Sequence, residues 1–244
     1  MSNLPLPQHW ISCGLTHEGK VRKLNEDAFL IRDDIGLWAV ADGMGGHDAG
    51  DLASTSIVNA LNSTAVPTSL SDFVSTVDDK LCAINTDLRT LSREQHDNRT
   101  IGSTVVILLA YENYCGLLWA GDSRVYRLRS GQLTQLTRDH SQVEEMVELG
   151  LLNREEAESH PEANIITRAV GATDQLFIEV DVDEVEPDDI YLLCSDGLYK
   201  HLSSRDIETI LQGDDISKSC QDLIDLTLER GAKDNVSVVL VKTT

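Results

Sequence analysis

Leu37 to Gly50 reads L-W-A-V-A-D-G-M-G-G-H-D-A-G, and the reading of this stretch decides how the rest of the chain is placed. Leu37 to Ala41 is an apolar run of strand length, and Asp42 with glycines at 43, 45 and 46 ends it abruptly. A carboxylate at the end of a rigid strand, beside glycines that let the backbone curl close, suits a hard cation or a phosphate. His47 follows within reach. The same letters also fit a plain strand-loop-helix connection in which Asp and Gly only make the turn.

Working outward, His9 to Leu15 and Ala28 to Arg32 read as strands around a loop carrying Arg22-Lys23-Leu24-Asn25-Glu26-Asp27. Helical spacing begins at Gly50 and stops at Pro67. Leu70 to Leu91 carries apolar residues at 70, 74, 77, 81, 84, 88 and 91, a stripe that fits a helix laid on a sheet or a short coiled-coil seam. Strands are expected at Ser103 to Tyr111, Tyr114 to Ala120, Val125 to Leu128 and Gln132 to Leu136, the last two joined by Ser130-Gly131. Short turns between consecutive strands imply antiparallel pairing. From His140 to about Pro161 the chain is polar and acidic, with short helical pieces, and reads as a flap outside the core. Strands return at Phe177 to Val182 and Ile190 to Cys194, then helices at Ser204 to Leu211 and Ile216 to Arg230, and a last strand at Asn235 to Val241. With no repeat and no linker, the expectation is one α+β domain, a layered sandwich of antiparallel sheet with helices on its faces.

The chain has 244 residues, 41 acidic against 20 basic, and a formal charge of -21, which disfavours a nucleic-acid backbone or an anionic membrane as partner. Five cysteines at 13, 82, 115, 194 and 220 form no C-x-x-C pair and fit a reducing cytosol. None has an arginine six positions on, so a cysteine-nucleophile phosphatase is not supported. No signal peptide and no apolar run of about 18 residues is read, and a cytoplasmic protein is expected.

Four expected strand edges each carry an aspartate: Asp42, Asp122 in W-A-G-D-S-R, Asp196 in L-L-C-S-D-G, and Asp234 in A-K-D-N-V-S-V. Any one of them is an ordinary turn or cap residue. Together they suit Mg2+ or Mn2+, because carboxylates gathered at one sheet edge repel one another until a dication joins them.

Eight blocks then fall in one order: R-K-L-N-E-D, D-G-M-G-G-H-D-A-G, G-S-T, A-G-D-S-R-V-Y-R-L, L-T-R-D-H-S, N-I-I-T-R-A-V-G, S-D-G-L and D-N-V-S-V. In these the chain resembles the metal-dependent serine/threonine protein phosphatases of the PPM, or type 2C, family in their compact bacterial form. The resemblance covers nearly the whole chain. It implies an α/β/β/α sandwich of two mainly antiparallel sheets flanked by helices, a single catalytic domain over 1–244, and a flap subdomain at about 140–170.

It also implies roles. Asp42 bridges two Mn2+ or Mg2+ ions, the Gly43 carbonyl serves one, and Asp196 and Asp234 serve the other. Asp27 acts through a metal-bound water with Glu26 supporting it, and Asp122 with Asp196 forms a more labile third site. Arg22 clamps the phosphate, His47 protonates the departing serine or threonine oxygen, and Asn235 orients the site on the substrate side. The implied reaction is hydrolysis of phosphoserine and phosphothreonine on proteins by water activated between two metals, which reverses a serine/threonine kinase. Phosphoprotein substrates, a partner kinase among them, and a monomeric state are expected.

Two alternatives stay beside this. Asp181-Val182-Asp183-Glu184-Val185 matches the D-x-D-x-V pattern of aspartyl-phosphate phosphatases, although an edge strand with a charged outer face also explains it. A catalytically silent phosphatase-like binding protein would keep the fold and lose one of Asp42, Asp196 or Asp234, and all three are present.

Overall fold

The structure is a computed structural model that describes residues 9–45, 49–95, 99–158 and 160–243. Its elements in chain order are β1 (Trp10–His17), β2 (Asp27–Arg32), β3 (Leu37–Met44), α1 (Ala49–Asn62), α2 (Leu70–Gln95), β4 (Gly102–Ser103), β5 (Val105–Tyr111), β6 (Tyr114–Ala120), β7 (Arg124–Arg129) and β8 (Gln132–Gln135). There follow α3 (Gln142–Glu148), α4 (Arg154–Glu158), β9 (Glu179–Glu184), β10 (Ile190–Cys194), α5 (Asp196–Tyr199), α6 (Ser204–Leu211), α7 (Ile216–Glu229) and β11 (Val236–Thr243).

The strands build two sheets, one in the order β1-β11-β10-β7-β8 and the other β2-β3-β5-β6-β9 with β4 paired to β3. Every pairing between these strands is antiparallel. Successive side chains of a strand point to opposite faces, and here both faces are covered. In β3, Trp38 and Val40 enter the layer between the sheets, while Leu37, Ala39 and Ala41 face the helices. In β10, Tyr191 and Leu193 enter that central layer, while Leu192 and Cys194 face the opposite helices. Double burial explains why these strands read as unbroken apolar runs. The result is the expected α/β/β/α sandwich.

The stripe on α2 packs into the core of the β3/β5 sheet, with Phe73, Val77, Leu81 and Leu88 buried against it. It is a sheet-covering helix, and the coiled-coil seam is set aside. Two other expectations need correction. β3 does not end on Asp42; pairing with β4 through Gly43↔Ser103 and Met44↔Gly102 carries it to Met44. The exposed residues of edge strand β9 are mixed, not uniformly charged: Asp181 and Glu184 are exposed, and so are Val180 and Val182 at 44% and 54%. Asp183 instead turns inward, because Arg127 of β7 meets it at 2.5 Å from the other sheet.

The flap leaves the sandwich after β8. Its base is fastened to the turn after β6: the His140 N–H donates to the Gly121 carbonyl at 2.9 Å, and the Gly121 N–H donates to His140 Nδ1 at 3.2 Å. That leaves the Nε2–H to donate to Glu179 Oε2 at 2.8 Å, with the ring stacked on Trp119. Burial holds the His140 pKa below its ordinary value. Return bridges Ser141↔Ile166 and Ser103↔Val170 close the flap onto the sheet.

Candidate metal centre

The β2–β3 register sets Asp27 directly opposite Asp42. Asp27 is buried, and its Oδ2 accepts from Ser195 Oγ and Ser237 Oγ, both at 2.8 Å. Ser237 lies in β11 and Ser195 directly follows β10, both strands of the other sheet, so one carboxylate oxygen keys the two sheets together at this end. Its other oxygen, Oδ1, is buried without a partner. Asp42 sits on the cleft floor; its carbonyl accepts from Thr104 N–H and Ser103 Oγ, both at 2.9 Å, which fixes the backbone beneath the carboxylate.

Gly43 must be glycine for a steric reason. A Cβ there would stand 2.1 Å from the Gly50 carbonyl oxygen and 2.6 Å from that of Glu26. Gly50 is equally confined, since a Cβ would meet Glu26 Oε1 at 2.4 Å. The start of α1 and the loop before β2 can therefore close on Asp42 only through bare backbone. Glu26 lines the cleft while Asp27 lies behind it, so the two adjacent acids take different depths.

Asp122 follows β6 and is buried; its turn is held by Tyr199 Oη donating to the Asp122 carbonyl at 2.9 Å. The Arg124 guanidinium covers the Tyr199 ring at 3.6 Å and forms a two-armed pair with Asp139. Asp196 opens α5, a single turn that the sequence reading did not foresee. A Cβ on Gly197 would lie 1.9 Å from the Asn235 carbonyl, so α5 rests directly on the backbone entering β11. Asp196 Oδ1, like Asp27 Oδ1, is buried and unpartnered. Asp234 Oδ2 accepts from Arg22 at 2.8 Å, which brings the expected phosphate clamp to the rim of the same cleft.

Asn235 departs from expectation. Its Oδ1 accepts from the Glu26 N–H at 2.8 Å, and its Nδ2 donates to the carbonyls of Glu18 and Leu24 at 3.0 and 2.9 Å. Both amide hydrogens are committed to the chain, so Asn235 fastens the 18–26 loop that carries Arg22 and has no donor left for substrate. Asn235→Ala is expected to cost roughly 2–3 kcal/mol by removing three part-buried hydrogen bonds that hold this loop. It should also loosen the Arg22 loop, which amide exchange of residues 18–26 reads beside the thermal melt.

Asp42, Gly43, Glu26, Asp122, Asp196, Asp234, Asn235 and Arg22 all line one cleft of about 770 Å³ at one end of the sandwich. His47 lies outside the described residues. The side chains that sequence reasoning missed are Ser195, Ser237, Asn164 and Lys200. Lys200 had a signal, an acid-to-lysine i,i+4 pair after a serine cap, had S-D-G-L-Y-K been read as a helical turn.

Electrostatics describe a site short of positive charge. Burial, more than any neighbour, pushes Asp27 and Asp122 up to about 7. Asp42 is held well above the usual carboxylate range by burial and then by Asp27, Asp196, Asp122 and Asp234. Among the described residues no three His, Cys, Asp or Glu side chains converge into a complete metal site. The carboxylates surround the cleft instead. That spacing suits hard ions that share a carboxylate and fill the rest of their shells with carbonyl oxygen and water. Two idle buried carboxylate oxygens and an all-oxygen donor set fit Mn2+ or Mg2+ on chemical grounds.

With oxygen left over for a hard dication and a guanidinium alongside, the cleft can hold and polarise a phosphate ester. The comparisons agree: the model for "Protein phosphatase 2C" matches residues 13–241, and the chain belongs to that family. It is 37% identical over 222 residues to the serine/threonine protein phosphatase PstP of Mycobacterium tuberculosis, covering 91% of this chain but only 43% of that protein. The chain thus spans less than half the length of that relative. Among solved structures, PppA, described as a key regulatory component of T6SS in Pseudomonas aeruginosa, superposes with a TM-score of 0.91 at 39% identity, covering 98% of this chain and 99% of that one. The PstP catalytic domain in complex with two manganese ions superposes at 0.84 with 33% identity, covering 96% and 98%.

Proposed function

We propose that this chain hydrolyses phosphoserine and phosphothreonine esters on proteins and so reverses serine/threonine kinase signalling. The observation that carries the reading is the Asp42 floor, with buried, partnerless oxygens of Asp27 and Asp196 around it and Arg22 at its rim. In this reading Asp42, the Gly43 carbonyl, Asp196 and Asp234 would hold two ions, and Asp122 would help hold a third. Bound Mn2+ or Mg2+ supplies Lewis acidity, screening the phosphate charge and making water a competent nucleophile near neutral pH.

The chain's own groups do the rest. Arg22 donates to the phosphoryl oxygens and fixes the ester for in-line displacement, with Asp234 holding the guanidinium at the rim. Asp27 is immobilised through Oδ2, which leaves its partnerless Oδ1 as a fixed acceptor that would orient a water without moving. Glu26 supports that side of the cleft. His47 donates the proton to the departing serine or threonine oxygen. No covalent phosphoenzyme is required.

Residues 1–244 act as one catalytic domain with the flap over the cleft, as a cytoplasmic monomer whose substrates include a partner kinase. All five cysteines are free, and among the described residues no helix is long and apolar enough to cross a membrane. The likeness to PppA makes T6SS regulation the first pathway in which to look for the substrate. The aspartyl-phosphate alternative loses its footing, because Asp183 is paired with Arg127 on an edge strand. With Mn2+, p-nitrophenyl phosphate and a phosphothreonine peptide should both be hydrolysed, EDTA should abolish turnover, and added Mn2+ should restore it. Chelator-resistant turnover would overturn the mechanism.

A further inference from the structure

One edge of the cleft carries positive charge that the chain does not neutralise. Acids outnumber bases by 41 to 20, and most arginines lie in ion pairs, among them Arg124 with Asp139, Arg129 with Asp189 and Arg230 with Asp206. Among the described residues no acid pairs with the ammonium of Lys20, Lys23 or Lys233. Lys233 lines the cleft together with Arg22. Its backbone is pinned there. The Lys233 N–H donates to His201 Nε2 at 3.3 Å, so the ring proton sits on Nδ1 and meets the Gly197 carbonyl at 3.2 Å. The Lys20 N–H donates to the Ala232 carbonyl at 2.8 Å, and a Cβ on Gly19 would stand 2.2 Å from the Asp234 carbonyl oxygen. The loop that carries Lys20, Arg22 and Lys23 therefore lies directly on the turn that carries Lys233. All three lysines are exposed.

We propose that Lys233, with Lys20 and Lys23 on the adjoining loop, forms a second anion subsite that reads an acidic or phosphorylated side chain of the substrate peptide on one side of the phosphoresidue. The proposal rests on the phosphatase reading of the cleft and deepens it by naming a substrate class. Arg22 is tied to Asp234, the neighbour of Lys233 in the chain, and it is committed to the phosphoryl group that is hydrolysed. An ester seated there carries its flanking residues past the lysines, because an extended peptide advances only about 3.3–3.6 Å per residue. An ammonium on a flexible stem is a point charge with no fork to match, so it accepts a carboxylate or a phosphate alike. At long range a chain of formal charge -21 repels an acidic peptide. A preference for such a peptide can therefore come only from local cations, and it should depend on where along the peptide the anion stands.

The test uses the full chain with Mn2+ and phosphothreonine peptides of otherwise neutral sequence. One glutamate, or one non-hydrolysable phosphonate analogue of phosphoserine, is walked along each side of the phosphothreonine. For wild type, Lys233→Met and Lys233→Glu, kcat/KM for each peptide is divided by that of the neutral peptide with the same enzyme, which cancels any general loss of activity. In wild type the glutamate should raise this ratio by about threefold or more on one side of the phosphothreonine only. The phosphonate should raise it further, since it carries the greater charge. A response to the phosphonate alone would support the subsite and name phosphate as its occupant. In Lys233→Met the ratio should fall toward one. In Lys233→Glu it should drop below one, and a lysine at the same peptide position should then be preferred. A wild-type ratio of one at every position with both groups, an equal rise on both sides, or a preference that survives Lys233→Glu would overturn the subsite and leave the phosphatase reading intact. Failure of the wild type to hydrolyse any of the phosphopeptides would overturn that reading and the subsite with it.

Discussion

Asp42→Asn is expected to lower Mn2+-supported hydrolysis of p-nitrophenyl phosphate by at least about a thousandfold, and to raise the melting temperature of the metal-free protein. The two effects have one cause. Asp42 stands opposite Asp27 on the adjoining strand and feels Asp196, Asp122 and Asp234 as well. Without metal, that arrangement penalises ionisation of Asp42, and its raised pKa records the penalty. Asparagine keeps the shape, removes the charge and can donate to a neighbouring carboxylate, so the metal-free fold gains. The same change deletes the one oxygen donor proposed to be shared by two ions, so Mn2+ should no longer stabilise the variant. A functional centre built from mutually repelling acids trades stability for binding in this way. Steady-state turnover and melting curves with and without Mn2+ check both halves. A variant that keeps half its activity, or melts lower than wild type without metal, would contradict the shared-ligand role.

The sequence carried the layers of the fold because the central strands are covered on both faces. Leu37 to Ala41 and Tyr191 to Cys194 could be recognised as strands from apolar content alone. The four-and-three spacing on α2 was equally legible, since it records the single face that meets the sheet. Contacts across the fold were not legible. Asp27 is bonded to Ser195 and Ser237, 168 and 210 residues away, and no local pattern announces that a serine will reach an aspartate from another sheet. β9 misled for a related reason. Its alternating acids look like a solvated face until Arg127, on a strand of the other sheet, draws Asp183 inward. Asn235 lines the cleft, but its task as a loop fastener depends on three backbone partners that lie far off in the chain.

The metal-free protein should lose stability as pH rises from about 5 to about 7.5, and Mn2+ should cancel or reverse that loss. Asp27 and Asp122 are acids whose folded-state pKa stands at about 7, against an ordinary value of 3.8. Between those values the folded chain holds protons that the unfolded chain has released, so stability falls as pH climbs through the window and levels off above about 7. His140 opposes this, since its lowered pKa makes acid destabilising, but it acts only below about 6.5 and is one group against three buried carboxylates. Asp206, held down by Arg230 and the Ser203 cap, titrates far below the window and does not enter. Each unit of elevation is worth about 1.4 kcal/mol, so a drop of several degrees in melting temperature is expected. Mn2+ binds only the deprotonated acids, and a site filled at about a hundred times its dissociation constant adds about 2.7 kcal/mol, or about 5 to 10 °C. Asp122→Asn removes one of the elevated groups and should flatten the metal-free slope. If the wild-type melting temperature without metal instead rises across this window, the buried carboxylates are not waiting for a cation, and the cleft is held together by something other than the charge balance derived from its residues.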